Sequence, residues 1–154
     1  MIPFDSYPGA GRRMLGRASQ GSCRYNYGLK HQQMTGQEEC AYCGMSLVDT
    51  FEHWLQIALD HVIPRSAATK LGIPAEWIED YSNRVLCCGA CNTLDNRCLT
   101  PEDALCPLDE EEFFNLRDRM FLFRKERIAL RRDKERNFYL SKPWDAPLPI
   151  MREM

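Results

Sequence analysis

The chain lacks any hydrophobic run of the length that a membrane span needs, which argues against a transmembrane helix. Its first 22 residues also lack the apolar stretch of a signal peptide, so we expect a cytoplasmic protein. An excess of one charge is missing too, and the net charge of −2 argues against a uniformly basic coat for nucleic acid. No internal repeat is visible, and 154 residues correspond to one domain.

Cysteine, by contrast, is abundant, with eight residues in the chain. In a cytosolic protein such cysteines serve more often as metal ligands than as disulfides. Two pairs, Cys40/Cys43 and Cys88/Cys91, have the two-residue spacer that lets one tight turn present two thiolates to one ion. We therefore predict a structural zinc site that ties together the ends of the segment between the pairs. Cys87 could replace Cys88, and four buried cysteines without a metal are the alternative.

The segment framed by these pairs, together with the residue that follows Cys91, carries the groups that phosphodiester hydrolysis needs. His61, with an ordinary pKa of about 6.5, could take a proton from water. Asp60 offers a carboxylate oxygen and Asn92 an amide oxygen, and such hard ligands favour magnesium or manganese. Neighbouring residues on a regular strand point to opposite faces, so Asp60 and His61 can share a site only if the strand ends or bends there. A hydrogen-bonded structural histidine is the alternative for His61.

At these positions the chain resembles the HNH endonuclease family, in its zinc-stapled subgroup with four cysteines. The resemblance covers residues 40–97 and rests on the segments CAYCG, LDHVIPRS, NRVLC and CGACN. It implies a β-hairpin followed by a helix around one metal ion. It also implies that His61 is the general base, that Asp60 and Asn92 bind magnesium, and that Asn83 braces the loop that bears the histidine. The family register from Asn83 to Asn92 further favours Cys88 over Cys87.

The chain also departs from the family pattern. The Gly-rich segment common between the histidine and the middle asparagine is absent, and residues 1–30 and 100–154 carry no part of the resemblance. Asp95 stands where many members have lysine, and an acid there is expected to weaken phosphate contact or alter metal binding. Arg65, Arg84 and Arg97 are candidate phosphate contacts, although each alone could be an ordinary surface arginine.

Local patterns predict the elements around this core. Residues 46–50 and 54–59 are expected to form the two strands of a hairpin, and residues 83–87 a further strand. Short helices are expected over residues 24–35, 73–81 and 91–97, the first ending at Gly36. The strongest pattern is a long helix over residues 109–136, capped by Asp109, with apolar residues at three- and four-residue steps.

The predicted fold is α+β: a small ββα-metal core stapled by a four-cysteine zinc site, with flanking helices that include a long C-terminal one. We divide the chain into a flexible basic arm (1–22), a nuclease core with a preceding helix (23–100), a C-terminal helical extension (101–140) and a Pro-rich tail (141–154).

The predicted function is a metal-dependent endonuclease that cuts DNA, with nicking expected from one active site per chain. The long helix could support a homodimer or a larger DNA-processing complex. One alternative is that the nuclease cuts RNA. The others are that the chain is a non-catalytic zinc module that binds nucleic acid, or an accessory subunit of such a complex.

Overall fold

The structure is a computed structural model and describes residues 2–8, 23–95 and 104–147. Its elements, in chain order, are a 3-10 turn (Pro3–Ser6), α1 (Tyr27–Thr35), α2 (Phe51–Leu55), β1 (Ile57–His61), α3 (Arg65–Leu71), α4 (Ala75–Ile78), a 3-10 turn (Tyr81–Asn83), β2 (Arg84–Cys88), α5 (Gly89–Leu94), α6 (Glu110–Leu140) and a last 3-10 turn (Pro143–Asp145). A two-stranded antiparallel sheet among many helices confirms the predicted α+β class.

The sheet joins the strand that carries the Asp-His pair to the strand that ends in a cluster cysteine. β1 and β2 run antiparallel in a regular register, from Ile57 opposite Cys88 to His61 opposite Arg84. All five residues of β2 are buried, because α6 and the segments around the sheet cover it. The sheet therefore connects the candidate catalytic end of β1 with the cysteine end of β2.

The predicted hairpin over residues 46–50 and 54–59 is wrong. Ser46 forms only an isolated bridge with Glu39, and residues 51–55 form α2. Thr50 caps this helix, since its Oγ1 accepts a hydrogen bond from the His53 N–H at 3.1 Å. Such a local side-chain bond competes with strand pairing. The strand that β1 does pair with, β2, lies beyond α3 and α4 in the chain.

Several helices follow their predicted signals. α1 ends at Gly36, whose φ of 69° is the left-handed conformation typical of a helix C-cap. α6 begins after Asp109, whose Oδ1 accepts a hydrogen bond from the Glu112 N–H at 2.9 Å, and it runs to Leu140, beyond the predicted end. α5 begins at Gly89, earlier than predicted, because Cys88 occupies the capping position.

α6 packs along the sheet and forms much of the hydrophobic core. Its fully buried side chains, Phe113, Met120, Phe121 and Ile128, belong to one cluster with the buried residues of β2. The first part of the predicted arm joins this core as well: Phe4 is buried, and its ring lies 5.5 Å from that of Phe121. Residues 9–22 of the arm and 148–154 of the tail lie outside the described residues.

Candidate metal centre and active site

Four cysteine sulfurs meet at one end of the sheet. Cys40 and Cys43 lie in a turn before α2, Cys88 ends β2, and Cys91 lies in α5. All four Sγ atoms lie within 4.8 Å of one another. The Cys43 and Cys88 sulfurs are 3.9 Å apart, far too long for a disulfide. Two sulfurs of a tetrahedral zinc site with bonds of about 2.3 Å would be about 3.8 Å apart. The cluster could therefore bind a structural metal such as zinc.

The structure distinguishes the two adjacent cysteines of β2. Cys88 belongs to the cluster, whereas the preceding Cys87 pairs with Ala58 and points to the other face of the strand. Burial raises the pKa of the Cys87 thiol. Hydrogen bonds with the Cys40 and Cys91 thiols lower the pKa of Cys88 to about 3. Of the two adjacent cysteines, it is thus Cys88 that faces the other three cluster sulfurs.

Asp60 lies on β1 with its carboxylate turned towards α6. Its Oδ2 accepts hydrogen bonds from the Tyr42 hydroxyl at 2.5 Å and from Arg124 Nη1 at 2.7 Å. Burial, and then the neighbouring Asp60 carboxylate, raise the pKa of Tyr42, so the phenol keeps its proton and remains a donor. The Asp60 side chain is only 13% exposed. The predicted magnesium ligand is therefore largely enclosed, with one oxygen already engaged.

Arg124 links the end of β1 to α5. It is 3% exposed, and Nη1 donates to the carbonyl oxygens of His61 and Val62 at 2.7 and 3.2 Å. Its Nε is 3.2 Å from Oδ2 of Asp95, whose other oxygen is 3.2 Å from Arg127 Nε. Asp95 is the acid at the position where the HNH resemblance predicts a lysine, and its side chain is fully buried. Its observed role is to anchor α6, since it is paired with two arginines of that helix.

His61 is the last residue of β1, and its side chain contacts a different set of groups. Its Nε2 lies 3.3 Å from Oε2 of Glu79. The same oxygen accepts a hydrogen bond from Arg84 at 2.6 Å. Arg65 donates one hydrogen bond to each oxygen of this carboxylate. The Arg65 hydrogen bond in particular lowers the pKa of Glu79 to about 2. Burial and the Arg84 charge lower the pKa of His61, while Glu79 opposes them. A neutral imidazole beside an ionised carboxylate has the form that a general base requires.

β1 remains regular through both Asp60 and His61. Alternation along the strand therefore places the two side chains on opposite faces, as their separate partners indicate. The carboxylate faces α6, whereas the imidazole faces Glu79 at the end of α4. A group that contacts both would have to lie across the end of β1, where the strand stops at His61.

Asn83 is fully buried and holds the chain that follows His61. Its Oδ1 accepts a hydrogen bond from the Ile63 N–H at 2.9 Å. Its Nδ2 donates to the carbonyl oxygens of Ile63 and Ile78 at 2.9 and 3.0 Å. These three bonds tie the segment after β1 to the end of α4. They fix the backbone at Ile63, two residues after His61.

The remaining predicted site residues are placed less centrally. Asn92 lies in α5, one residue after Cys91, and its side chain is partly exposed. Arg65 in α3 is exposed and Arg84 in β2 is buried, and both contact the Glu79 carboxylate. Arg97 lies outside the described residues.

Sequence reasoning missed Arg124, Tyr42 and Glu79 as members of this region. A signal for Arg124 does exist, because it follows Met120 and precedes Ile128 at four-residue steps and so shares their buried face. An arginine on a buried face needs an acidic partner. Nothing in the local sequence indicates that this partner is Asp60.

Comparisons with protein families, with curated proteins and with solved structures find no match to this chain. Within the described part of the chain, none of the helices has the length and apolar character needed to cross a membrane.

Proposed function

We propose that the chain is a metal-dependent endonuclease that hydrolyses phosphodiester bonds in DNA, built on a zinc-stapled HNH core. The observation that carries this proposal is the position of Asn83, whose bonds to Ile63 at 2.9 Å hold the segment directly after His61. The HNH resemblance implies such a contact, because its middle asparagine braces the loop that bears the histidine. A neutral histidine on a braced strand end, next to a carboxylate, suits the activation of water.

Each residue has a distinct role in this proposal. His61 takes the proton from the attacking water. A magnesium ion, when bound, would neutralise charge on the phosphate and assist the leaving oxygen. Asp60 and Asn92 would hold that ion, since carboxylate and amide oxygens are the donors that magnesium prefers. Both hydrogen bonds that the Asp60 side chain accepts from the described residues go to Oδ2, so Oδ1 is the oxygen proposed to bind the magnesium ion. Zinc in the four-cysteine cluster would be structural.

Glu79 supports the assignment of the base nitrogen. Because Nε2 of His61 faces the Glu79 carboxylate at 3.3 Å, we assign the ring proton to Nε2, which donates a hydrogen bond to the carboxylate. The lone pair then lies on Nδ1, which is the atom proposed to accept the proton from water. Glu79 is thus a positioning residue in this proposal.

A second candidate is a non-catalytic zinc module that binds nucleic acid. The contact that favours it is the 2.7 Å ion pair between Arg124 and Asp60, which places a positive charge where a metal ligand is expected. In this alternative Asp60 has a structural role, and its partner is the Arg124 guanidinium rather than a metal ion.

A nicking assay separates the two candidates. Supercoiled plasmid is incubated with magnesium and with the native protein, His61→Ala or His53→Ala, all at equal zinc content. Since His53 lies in α2 and pairs with Asp49, its variant should nick as the native protein does, whereas His61→Ala should leave the plasmid supercoiled. One active site per chain predicts open circles before linear product. An intact plasmid with the native protein in magnesium, manganese and nickel would contradict the proposal and favour the second candidate.

A further inference from the structure

The second half of α6 is a basic extension that the proposed catalytic site does not use. Residues 125–142 contain seven basic and three acidic side chains, a net charge of +4, so the rest of the chain carries −6. Beyond Ile128, the last core residue of the helix, the described residues of α6 are exposed except for the partly exposed Arg132. The stretch from there to Leu140 is about 18 Å long at about 1.5 Å per residue.

A groove runs between this extension and α5. Its volume is about 390 Å³, with Ala90, Thr93 and Leu94 on the α5 side and Arg132, Glu135, Arg136 and Tyr139 on the α6 side. α5 also carries Asn92, the proposed magnesium ligand. The groove and the proposed magnesium ligand thus share helix α5.

Two properties of the groove indicate what it binds. Arg136 supplies an exposed positive charge, since its ion pair with Asp133 at 3.0 Å is itself exposed and so contributes little. Tyr139 is 62% exposed, and its ring lies 5.2 Å from that of Trp144, which is 60% exposed. Phosphate-binding cations beside exposed aromatic rings are typical of surfaces that bind unpaired nucleic-acid strands, because the bases stack on the rings.

We propose that the groove between α5 and α6 binds single-stranded DNA, with Arg136 contacting a phosphate and Tyr139 stacking on a base. A duplex offers phosphates but no free base faces, so the aromatic pair specifies an unpaired strand. The inference rests on the proposed function for the choice of DNA. Its test measures binding and needs no cleavage, so the groove proposal and the nuclease proposal can fail separately.

The test is binding of a fluorescein-labelled 20-nucleotide single strand, and of the matching duplex, followed by fluorescence anisotropy without added magnesium. Arg136→Glu is compared with Lys134→Glu, which makes the same charge reversal two residues earlier and about 200° round the helix. We expect Arg136→Glu to weaken single-strand binding at least fivefold. The negative slope of the logarithm of the association constant against the logarithm of the salt concentration should become less steep by about 0.7. Lys134→Glu should weaken it less than twofold. Arg132 is left unchanged because it contacts Cys91 at 3.6 Å.

Tyr139→Ala tests the aromatic contribution. It should weaken binding of the single strand about tenfold, and that of the duplex less than twofold. Equal losses in Arg136→Glu and Lys134→Glu would indicate a diffuse basic surface and overturn the groove proposal. Binding unchanged in both Arg136→Glu and Tyr139→Ala would overturn it as well, and so would a stable dimer in sedimentation that Tyr139→Ala dissociates. If either result occurred while the protein still nicked plasmid normally, the groove proposal would fail and the nuclease proposal would be unaffected.

Discussion

Replacing Asn83 by alanine should destabilise the protein by about 4 kcal/mol. The side chain is fully buried and satisfies the Ile63 N–H, the Ile63 carbonyl and the Ile78 carbonyl, all at 2.9 to 3.0 Å. Alanine would leave three buried backbone groups without a partner, at about 1–3 kcal/mol each, less what local relaxation recovers. Because these bonds also fix the chain after His61, nicking should be lost at temperatures where the variant is still folded.

The measurement is the free energy of unfolding in urea at equal zinc content. Asn92→Ala is the matched control, since its side chain is partly exposed and should change that free energy by less than about 0.5 kcal/mol. Asn83→Asp adds a second comparison, because it keeps an acceptor for the Ile63 N–H but loses both donated bonds. A loss below about 1 kcal/mol in Asn83→Ala would refute the argument that these bonds brace the strand end.

Three further outcomes are expected. Cys40→Ser should lower bound zinc, measured by atomic emission, from one ion per chain to well below one, and should lower the melting temperature; an unchanged zinc content would contradict the cluster. Arg124→Met should cost about 3–5 kcal/mol in urea unfolding, because it leaves the buried Asp95 carboxylate and the largely enclosed Asp60 carboxylate short of a partner, and Arg127→Met should cost much less. Glu79 has a pKa of about 2 in the folded protein against an ordinary 4.5, so its stabilisation is complete above pH 4.5 and is lost as the pH falls towards 2. Unfolding measured at pH 5 and pH 3 should therefore show a smaller loss in Glu79→Gln than in the native protein.

Features set by short-range chemistry could be predicted from the sequence. The two-residue spacers bring Cys40 to Cys43 and Cys88 to Cys91 because a single turn fixes each pair. Asp109 marks the start of α6 because an N-cap depends only on the next three residues. The α+β class and the long helix follow from such local signals.

Long-range pairing could not be predicted in the same way. The expected hairpin failed because the sequence around Thr50 is compatible with either a strand or a capped helix, and the true partner of β1 lies beyond two helices. The contact between Arg124 and Asp60 joins residues 64 positions apart. Periodicity places such an arginine on a buried face but cannot identify its partner.

The claim that Asp60 can hold a catalytic ion despite Arg124 is tested most directly by Mn²⁺ binding. Titration of the zinc-loaded protein, with free Mn²⁺ followed by its electron paramagnetic resonance signal, compares the native chain with Asp60→Asn. Asp49→Asn is the control, since Asp49 is exposed and pairs only with His53 among the described residues. We expect one Mn²⁺ site per chain in the native and control proteins, and none in Asp60→Asn. A native protein that binds no Mn²⁺, or an Asp60→Asn variant that binds it equally well, would contradict the role proposed for Asp60.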